Sequence, residues 1–325
     1  MILSKFNIPT NTLRAALLMA SACMIRADHG PGTSGGGAST QSGETMKPGK
    51  FAVEIREDYT EFEHLSEAEI LAKATRGGDF DLLDRSFIET LNVSYGVIDN
   101  FQVGLSIGYY HAVRARTAEF DADTGATEIT TSDPNGLTDL WLTGKYRFYR
   151  GPIGSFAVYG GVKFPTGRSR VHDSAGALVE PSATAGTGSY DGMLGLAYSR
   201  FLTARLTMDV SGQYTLRTEA NDFHLGDRID AGLAMAYRLT GDIEKFPQAS
   251  VFGEINVRHL FESKDDGLRD PNTGGTALFL TPGLRVSFTK NVSFTFAAPV
   301  PVVQELNGVQ LKTLFKMNAA LTLSF

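Results

Sequence analysis

Residues 202–217, LTARLTMDVSGQYTLR, alternate without a break. Leu202, Ala204, Leu206, Met208, Val210, Gly212, Tyr214 and Leu216 fall on one face, and Thr203, Arg205, Thr207, Asp209, Ser211, Gln213, Thr215 and Arg217 on the other. Successive side chains of an extended chain point to opposite sides, so this is a strand with one wholly apolar and one wholly polar face. It is also far longer than the roughly 5–6 residues usual for a strand. The same period runs through Phe101, Val103, Leu105, Ile107 and Tyr109, and through Ile229, Ala231, Leu233, Met235, Tyr237 and Leu239. In DLWLTGKYRFYRGPIGSFAVYGGVKFPTG, residues 139–167, Trp141, Lys145 and Arg147 share one face and Leu140, Leu142, Tyr146 and Phe148 the other. The chain then turns through Arg150, Gly151 and Pro152 and alternates again.

Twelve such segments are predicted, near 50–62, 84–97, 101–115, 136–149, 153–166, 188–199, 202–217, 226–240, 247–261, 276–289, 292–303 and 311–325. The connections alternate in length: VIDN, RGP, RF, TGDIEKF and TKN are short, whereas 63–83, 116–135, 167–187, 218–225, 262–275 and 304–310 are longer. An even number of antiparallel strands with tight turns at one end and longer loops at the other is the pattern of a bacterial outer-membrane barrel. The expected fold is therefore all-β, a transmembrane antiparallel β-barrel of about twelve strands with short periplasmic turns and longer extracellular loops. Closure has a physical reason: an open strand edge in hydrocarbon leaves N–H and C=O groups unpaired at several kcal/mol each.

A soluble antiparallel sandwich also alternates, but it turns the apolar face inward. Export and strand length favour the membrane, as do tyrosines recurring toward strand ends, where Tyr59, Tyr95, Tyr110, Tyr149, Tyr198 and Tyr237 suit interfacial belts. The export signal is at the N-terminus. Lys5 and Arg14 precede the short apolar run AALLMASACMI, so residues 1–27 read as a signal peptide cleaved after Ala27. Cleavage before Cys23 is the rival and would give a lipoprotein, although Ala20 stands where a lipid-attachment signal prefers Leu. Cys23 is the single cysteine, so no intrachain disulfide framework exists. Residues 28–49, rich in Gly, Ser and Thr, read as a flexible segment, and 50–325 as the barrel. Charged residues make up 20% of the chain, below the usual quarter or so, the net charge is -6, and no basic patch accompanies aromatics in the manner of a nucleic-acid groove.

The end of the chain fits the same scheme. In LFKMNAALTLSF, Phe315, Met317, Ala319, Leu321, Leu323 and Phe325 share a face. A terminal aromatic in phase with an amphipathic strand resembles the segment that outer-membrane assembly machinery recognises, which makes Phe325 the expected assembly signal.

The pairing of LTDLWLTGKYRFY with FAVYGGVKFPTGR resembles the outer-membrane transporter family associated with the meta-pathway of phenol degradation. Asp139, Leu142, Lys145, Tyr146, Arg147 and Phe148 match its D-x-x-L-x-x-K-Y-R-F strand, and Gly161, Lys163, Pro165, Thr166 and Gly167 its G-x-K-x-P-T-G strand end. The resemblance is sharpest over residues 137–168. It implies a channel that passively moves a small, hydrophobic or aromatic organic solute. Pro165, Thr166 and Gly167 form the rim motif, which either only ends a strand or also takes part in gating.

With the faces assigned in this way, the lumen receives Glu54, Arg56 and Asp58 from the first segment, Asp139, Lys145 and Arg147 from the fourth, and Lys163 from the fifth. Arg205, Asp209 and Arg217 come from the seventh, Arg228, Asp230 and Arg238 from the eighth, Glu254 and Arg258 from the ninth, Arg285 from the tenth, and Lys312 and Lys316 from the twelfth. Such charges require a water-filled interior or one laced with ion pairs. In the loop 63–83, Leu65, Ala68, Ile70 and Leu71 have helical spacing and Ser66 with Glu69 forms a capping box, predicting a short helix at the extracellular rim or in the mouth.

No metal site or cofactor is expected. The sequence DADTG, residues 121–125, resembles a calcium loop only loosely, and no two of the six histidines stand at metal-ligand spacing. His29 would sit second in the mature chain, where weak copper binding is conceivable. No catalytic residue is expected, because Ser211 and Ser250 lack a histidine that spacing places beside them. The expected function is passive transport of a small organic solute by a non-enzymatic bacterial outer-membrane channel. The alternatives are a structural or surface-binding barrel and, behind that, a barrel lipase or acyltransferase. Its expected partners are outer-membrane lipids and lipopolysaccharide, the barrel assembly machinery and the solute, with no nucleic acid; the oligomeric state stays open.

Overall fold

The computed structural model describes residues 37–77, 79–120, 126–242 and 244–325. The predicted signal peptide with Cys23, the His29 site and the DADTG loop lie outside the described residues. In chain order the elements are β1 (Phe51–Phe62), α1 (Glu67–Gly77), β2 (Asp79–Leu82), β3 (Arg85–Ile98), β4 (Phe101–Val113), β5 (Arg116–Phe120), β6 (Thr127–Thr131) and β7 (Gly136–Leu137). They continue with β8 (Leu140–Gly151), β9 (Gly154–Phe164), β10 (Asp191–Phe201), β11 (Leu206–Leu216), β12 (Phe223–His224), β13 (Arg228–Arg238) and β14 (Gln248–Leu260). The last are β15 (Lys264–Asp265), β16 (Leu268–Arg269), β17 (Gly275–Ser287), β18 (Val292–Ala297), β19 (Val300–Leu306) and β20 (Thr313–Ser324).

Antiparallel ladders join β1–β3–β4–β8–β9–β10–β11–β13–β14 in sequence, β14 pairs β17, β17 pairs β18 and β19, and β18 pairs β20, which returns to β1. The sheet is closed, with β18 and β19 acting as two halves of one wall strand, so the barrel has twelve strands among the described residues. That strand was expected to run unbroken over 292–303. It parts at Ala298–Pro299, where proline has no N–H to give a ladder, and the register on β17 shifts between Leu278 and Phe279. A second expected boundary also moves: Leu202–Arg205 form the turn after β10, and the next strand starts at Leu206.

Tight turns and both ends of the wall lie together. Phe325 N–H donates to the Phe51 carbonyl at 2.8 Å, which seals the first strand to the last. By the barrel rule this end is periplasmic.

The faces are inside-out relative to a soluble core. On β10, Leu194 and Leu196 are 64% and 62% exposed on the outer surface, while Gly195 between them and Ala197 and Ser199 beyond them are buried. On β11, Thr207, Asp209, Ser211 and Thr215 are buried and Val210, Tyr214 and Leu216 exposed. Long outward rows of Leu, Val, Ile, Phe and Tyr around a closed ladder make a lipid-facing belt, so the protein resides in the bacterial outer membrane. Aromatic pairs stand at both ends of the belt. Phe156 packs on Tyr198 with ring centroids 4.7 Å apart, Phe51 on Tyr95 at 4.4 Å, and Tyr59 on Phe87 at 5.0 Å. Tyr110 departs from the expected belt. It lies in phase with the inward Gln102 and Ala112, and its neighbour Tyr109 faces out. The outward face also carries an acidic pair, Glu57 opposite Glu89 on β1 and β3.

At the extracellular end, α1 packs on the sheet β2–β5–β6 through Ile70, Ala74, Phe80, Leu82 and Ala118. The capping box forms as the spacing predicts. Ser66 N–H and hydroxyl donate to the Glu69 carboxylate at 2.8 and 2.6 Å, and the Ser66 hydroxyl accepts from Glu69 N–H at 3.4 Å. Those bonds, the hydroxyl's first, hold the Glu69 carboxyl below its ordinary value. The helix belongs to this rim unit, and none of its described side chains lines the lumen cavity.

Candidate functional site

The polar faces of the wall strands enclose a cavity of about 840 Å³. Its floor is the chain's own N-terminal segment. Residues 28–49 were expected to be flexible; the described part, 37–49, crosses the lumen as a strap bonded to the wall. Small residues cannot build a core, but their accessible backbone amides find partners in the polar lumen. On β14, the Glu254 carboxylate accepts the Ala38 N–H, the Ser39 N–H at 3.2 Å, the Thr40 N–H at 3.0 Å and the Thr40 hydroxyl at 2.9 Å. Gln41 N–H donates to Ser211 Oγ at 3.0 Å and Gly43 N–H to Ser199 Oγ at 2.7 Å. Met46 N–H donates to Gln102 Oε1 at 2.8 Å.

Cations of the wall complete the hold. Lys145 Nζ donates to the Ser42 carbonyl at 3.0 Å, Arg56 Nη1 to the Ala38 carbonyl at 2.6 Å and Arg285 Nη2 to the Gly37 carbonyl at 3.3 Å. Arg147 pairs with Glu44 at 2.8 Å, and the other Glu44 oxygen accepts the Ser155 hydroxyl. The fit is close enough to need glycine. A Cβ on Gly43 would stand 2.4 Å from the Ser155 carbonyl oxygen, and one on Gly232 2.6 Å from Thr40 Oγ1. Beneath the strap, Asp209 is fully buried. Its Oδ1 accepts the Ser199 hydroxyl and its Oδ2 has no hydrogen-bond partner among the described residues.

The family-like motif of β8 and β9 has a structural task at the extracellular end. Lys163 Nζ lies between two carboxylates, 3.2 Å from Asp139 Oδ2 and closer still to Asp191 Oδ2, with all three side chains 5% exposed or less. Asp139 also accepts Gly167 N–H at 2.9 Å through Oδ1 and Thr187 N–H at 2.9 Å through Oδ2. The Thr166 hydroxyl accepts Leu140 N–H at 3.0 Å, and the strand ends just before Pro165. Pro165, Thr166 and Gly167 thus turn the chain at the rim, and Asp139 pins both ends of the long loop 165–190.

Most of the expected lumen residues face inward. Arg56, Asp139, Lys145, Lys163, Arg217, Arg228 and Arg285 line the cavity. Arg147, Asp209 and Glu254 lie inward and hold or underlie the strap, and Asp230, Arg258 and Lys316 share the inward phase of their strands. Two assignments are corrected. Arg205 sits in the β10–β11 turn, exposed at the periplasmic rim, because the strand begins one residue later. Lys312 precedes β20 in an exposed loop, where its N–H donates to Glu63 Oε1 at 3.2 Å. Arg238 lies between these cases, near the periplasmic end, with Nη2 donating to the Ala204 carbonyl at 2.8 Å. Sequence reasoning missed Asp191, Gln102, Ser155 and Ser199. Each sits on a polar face: the strap gives Gln102, Ser155 and Ser199 partners, and Asp191 meets Lys163 across the β9–β10 ladder. Among the described residues, no three His, Cys, Asp or Glu side chains gather to hold a metal ion. Ser211 and Ser250 both face inward, and the outward His259 bonds Thr276 through Nδ1 at 2.9 Å.

In shape, the barrel matches the crystal structure of an outer-membrane channel from Pseudomonas putida F1 at TM-score 0.62 and 14% identity, over 90% of this chain and 100% of that one. Looser likenesses are to the β domain of the Bordetella autotransporter BrkA (TM-score 0.46, 10% identity, 86% of this chain and 100% of that one) and to the NanC porin (0.45, 11%, 84% and 98%). No curated protein matches the chain. A closed lipid-facing barrel around a polar cavity is the architecture of a general outer-membrane channel. Residues 31–311 match the profile of the family described as "Putative MetA-pathway of phenol degradation", so the chain belongs to that family.

Proposed function

We propose that the barrel passively carries a small organic solute with an apolar or aromatic body across the outer membrane, without catalysing a reaction on it. The observation that supports this reading is the cavity of about 840 Å³ above the strap. Its volume lies within the range of small-molecule sites, roughly 300–1,000 Å³, and Trp141, Tyr159 and Met193 add apolar surface to a wall of charges. Outer-membrane lipids and lipopolysaccharide would surround the belt, and Phe325, 60% exposed at the sealed seam, remains the candidate signal for the assembly machinery.

The reading is tested with refolded protein in planar bilayers and in liposomes loaded with an impermeant sugar. Single-channel steps are expected, together with liposome swelling in small aromatic solutes that exceeds that in a disaccharide. Lys145→Glu, which reverses the charge beneath the Ser42 carbonyl, is expected to change the conductance. A folded barrel that neither conducts nor swells liposomes, while its rim unit of α1, β2, β5 and β6 binds surface ligands, would establish the surface-binding alternative instead.

A further inference from the structure

Trp141 is the single tryptophan of the chain and it faces the lumen. Tryptophans of membrane proteins concentrate in belts at the water–lipid interface, where an amphipathic ring is at home. This one stands instead on the cavity wall, with Tyr159 and Met193 on β9 and β10 giving that sector an apolar surface.

The charges of the upper lumen are not paired one to one. Asp139 and Asp191 share Lys163 as their one close cation, and Arg56 holds Asp58 at 2.7 Å. Toward the extracellular end, one carboxylate serves two guanidinium groups: Asp230 lies 2.6 Å from Arg228 Nε and 2.8 Å from Arg258 Nε. Arg217 donates to the Gly226 carbonyl at 3.3 Å, and Lys316 stands over the Phe279 ring at 5.3 Å. Neither has a described carboxylate within 4 Å: Arg217 meets Asp191, Asp230 and Asp227, and Lys316 meets Asp58 and Asp230, only at longer electrostatic range, and both also lie within that range of Arg228 and Arg258. Four cations on β13, β14, β20 and the end of β11 therefore share one close carboxylate. Keeping like charges together in a partly dehydrated wall is unfavourable unless an anion joins them. Guanidinium groups are the side chains best shaped to take a carboxylate through paired N–H donors.

We propose that the upper lumen is a binding site for an amphiphilic organic anion, with its carboxylate among Arg217, Arg228, Arg258 and Lys316 and its apolar or aromatic body against Trp141, Tyr159 and Met193. This rests on the channel reading and names the chemical class of the solute. The cluster supplies the attraction that draws the anion to the mouth, and the apolar sector separates a carboxylate with a hydrophobic body from an inorganic ion.

Trp141 is its own reporter. The full-length protein, refolded in detergent micelles, is titrated with 3-phenylpropionate and with 3-phenylpropanol, its neutral counterpart. The acid is expected to change Trp141 emission saturably and the alcohol to do so far more weakly. In R228Q/R258Q the apparent affinity for the acid is expected to fall by about tenfold or more, as for losing hydrogen bonds to a charged group. Heat-modifiable gel mobility confirms that the variant barrel is closed, and the single variant Lys316→Gln provides a milder reduction of charge should the double variant not fold. Equal response to acid and alcohol, or unchanged affinity in a folded variant, would overturn the site. If the wild-type barrel conducts while the acid leaves the emission unchanged, the head-group site fails and the channel stands. Absence of conductance defeats the channel reading itself.

Discussion

A chain lacking residues 37–48 is expected to conduct ions in a planar bilayer about threefold or more better than the intact chain, because an interior of more than about eight strands leaves room that side chains alone do not fill. The strap occupies that room. Its amides are spread over Glu254, Ser211, Ser199 and Gln102, and its one carboxylate, Glu44, holds Arg147. Removing it opens the floor of the cavity and leaves the wall ladders intact, so the shortened protein should still show heat-modifiable mobility. Conductance equal to that of the intact barrel would mean that the strap does not obstruct the ion path.

The second large effect is on stability. Lys163→Met is expected to cost about 3–5 kcal/mol, because breaking a buried ion pair leaves uncompensated charge behind. Here two carboxylates, Asp139 and Asp191, lose their shared cation, each with less than a twentieth of its side chain exposed. Asp139 keeps the bonds from Gly167 and Thr187, whereas Asp191 keeps the Ser189 hydroxyl at 2.9 Å and Thr218 N–H at 3.2 Å. The measurement is the midpoint of urea unfolding from micelles. Adding Asp191→Asn to Lys163→Met should recover a large part of the loss, since it removes one of the two stranded charges. A midpoint within error of the wild type would show that the triad is hydrated and contributes little.

The wall was legible because its cause is local. Lipid outside and polar groups inside impose a period of two on every strand, and turn lengths alternate because only one end of the barrel carries loops. Hence Lys145, Arg147, Asp209, Glu254 and Arg258 could be placed inward from parity alone. What parity cannot carry is the partner. Glu254 looks like any inward carboxylate until Ser39 and Thr40 arrive from more than two hundred residues away in sequence. The composition of the strap pointed to flexibility, and its order comes from the lumen wall rather than from its own side chains. Arg205 and Lys312 were misplaced for a related reason: the alternation continues past the last ladder bond, so the pattern overruns strand ends by a few residues. The break at Pro299 is hidden by the flanking residues, which keep the alternation in phase across it.

The motif shared with the family shows its strand end in the sequence, with β9 ending at Phe164, but not its cross-strand partners. Lys163 was placed inward in phase with Lys145, but its partner Asp191 lies beyond the long loop, where neither spacing nor charge count points back to it. The extracellular helix was legible in full at its start, since a capping box is written in four consecutive residues, Ser66 to Glu69.

The central claim is that apolar side chains face acyl chains while their neighbours face an enclosed polar space, and adjacent residues test it most directly. In a Cys23→Ser background, Met193→Cys and Leu194→Cys each carry an environment-sensitive fluorophore in proteoliposomes containing brominated lipid. Met193 lines the cavity and Leu194 is exposed on the outer face. The label at 194 should be quenched strongly by the brominated chains and the label at 193 hardly at all. Quenching at 193 with protection at 194 would contradict the inside-out barrel and with it the channel.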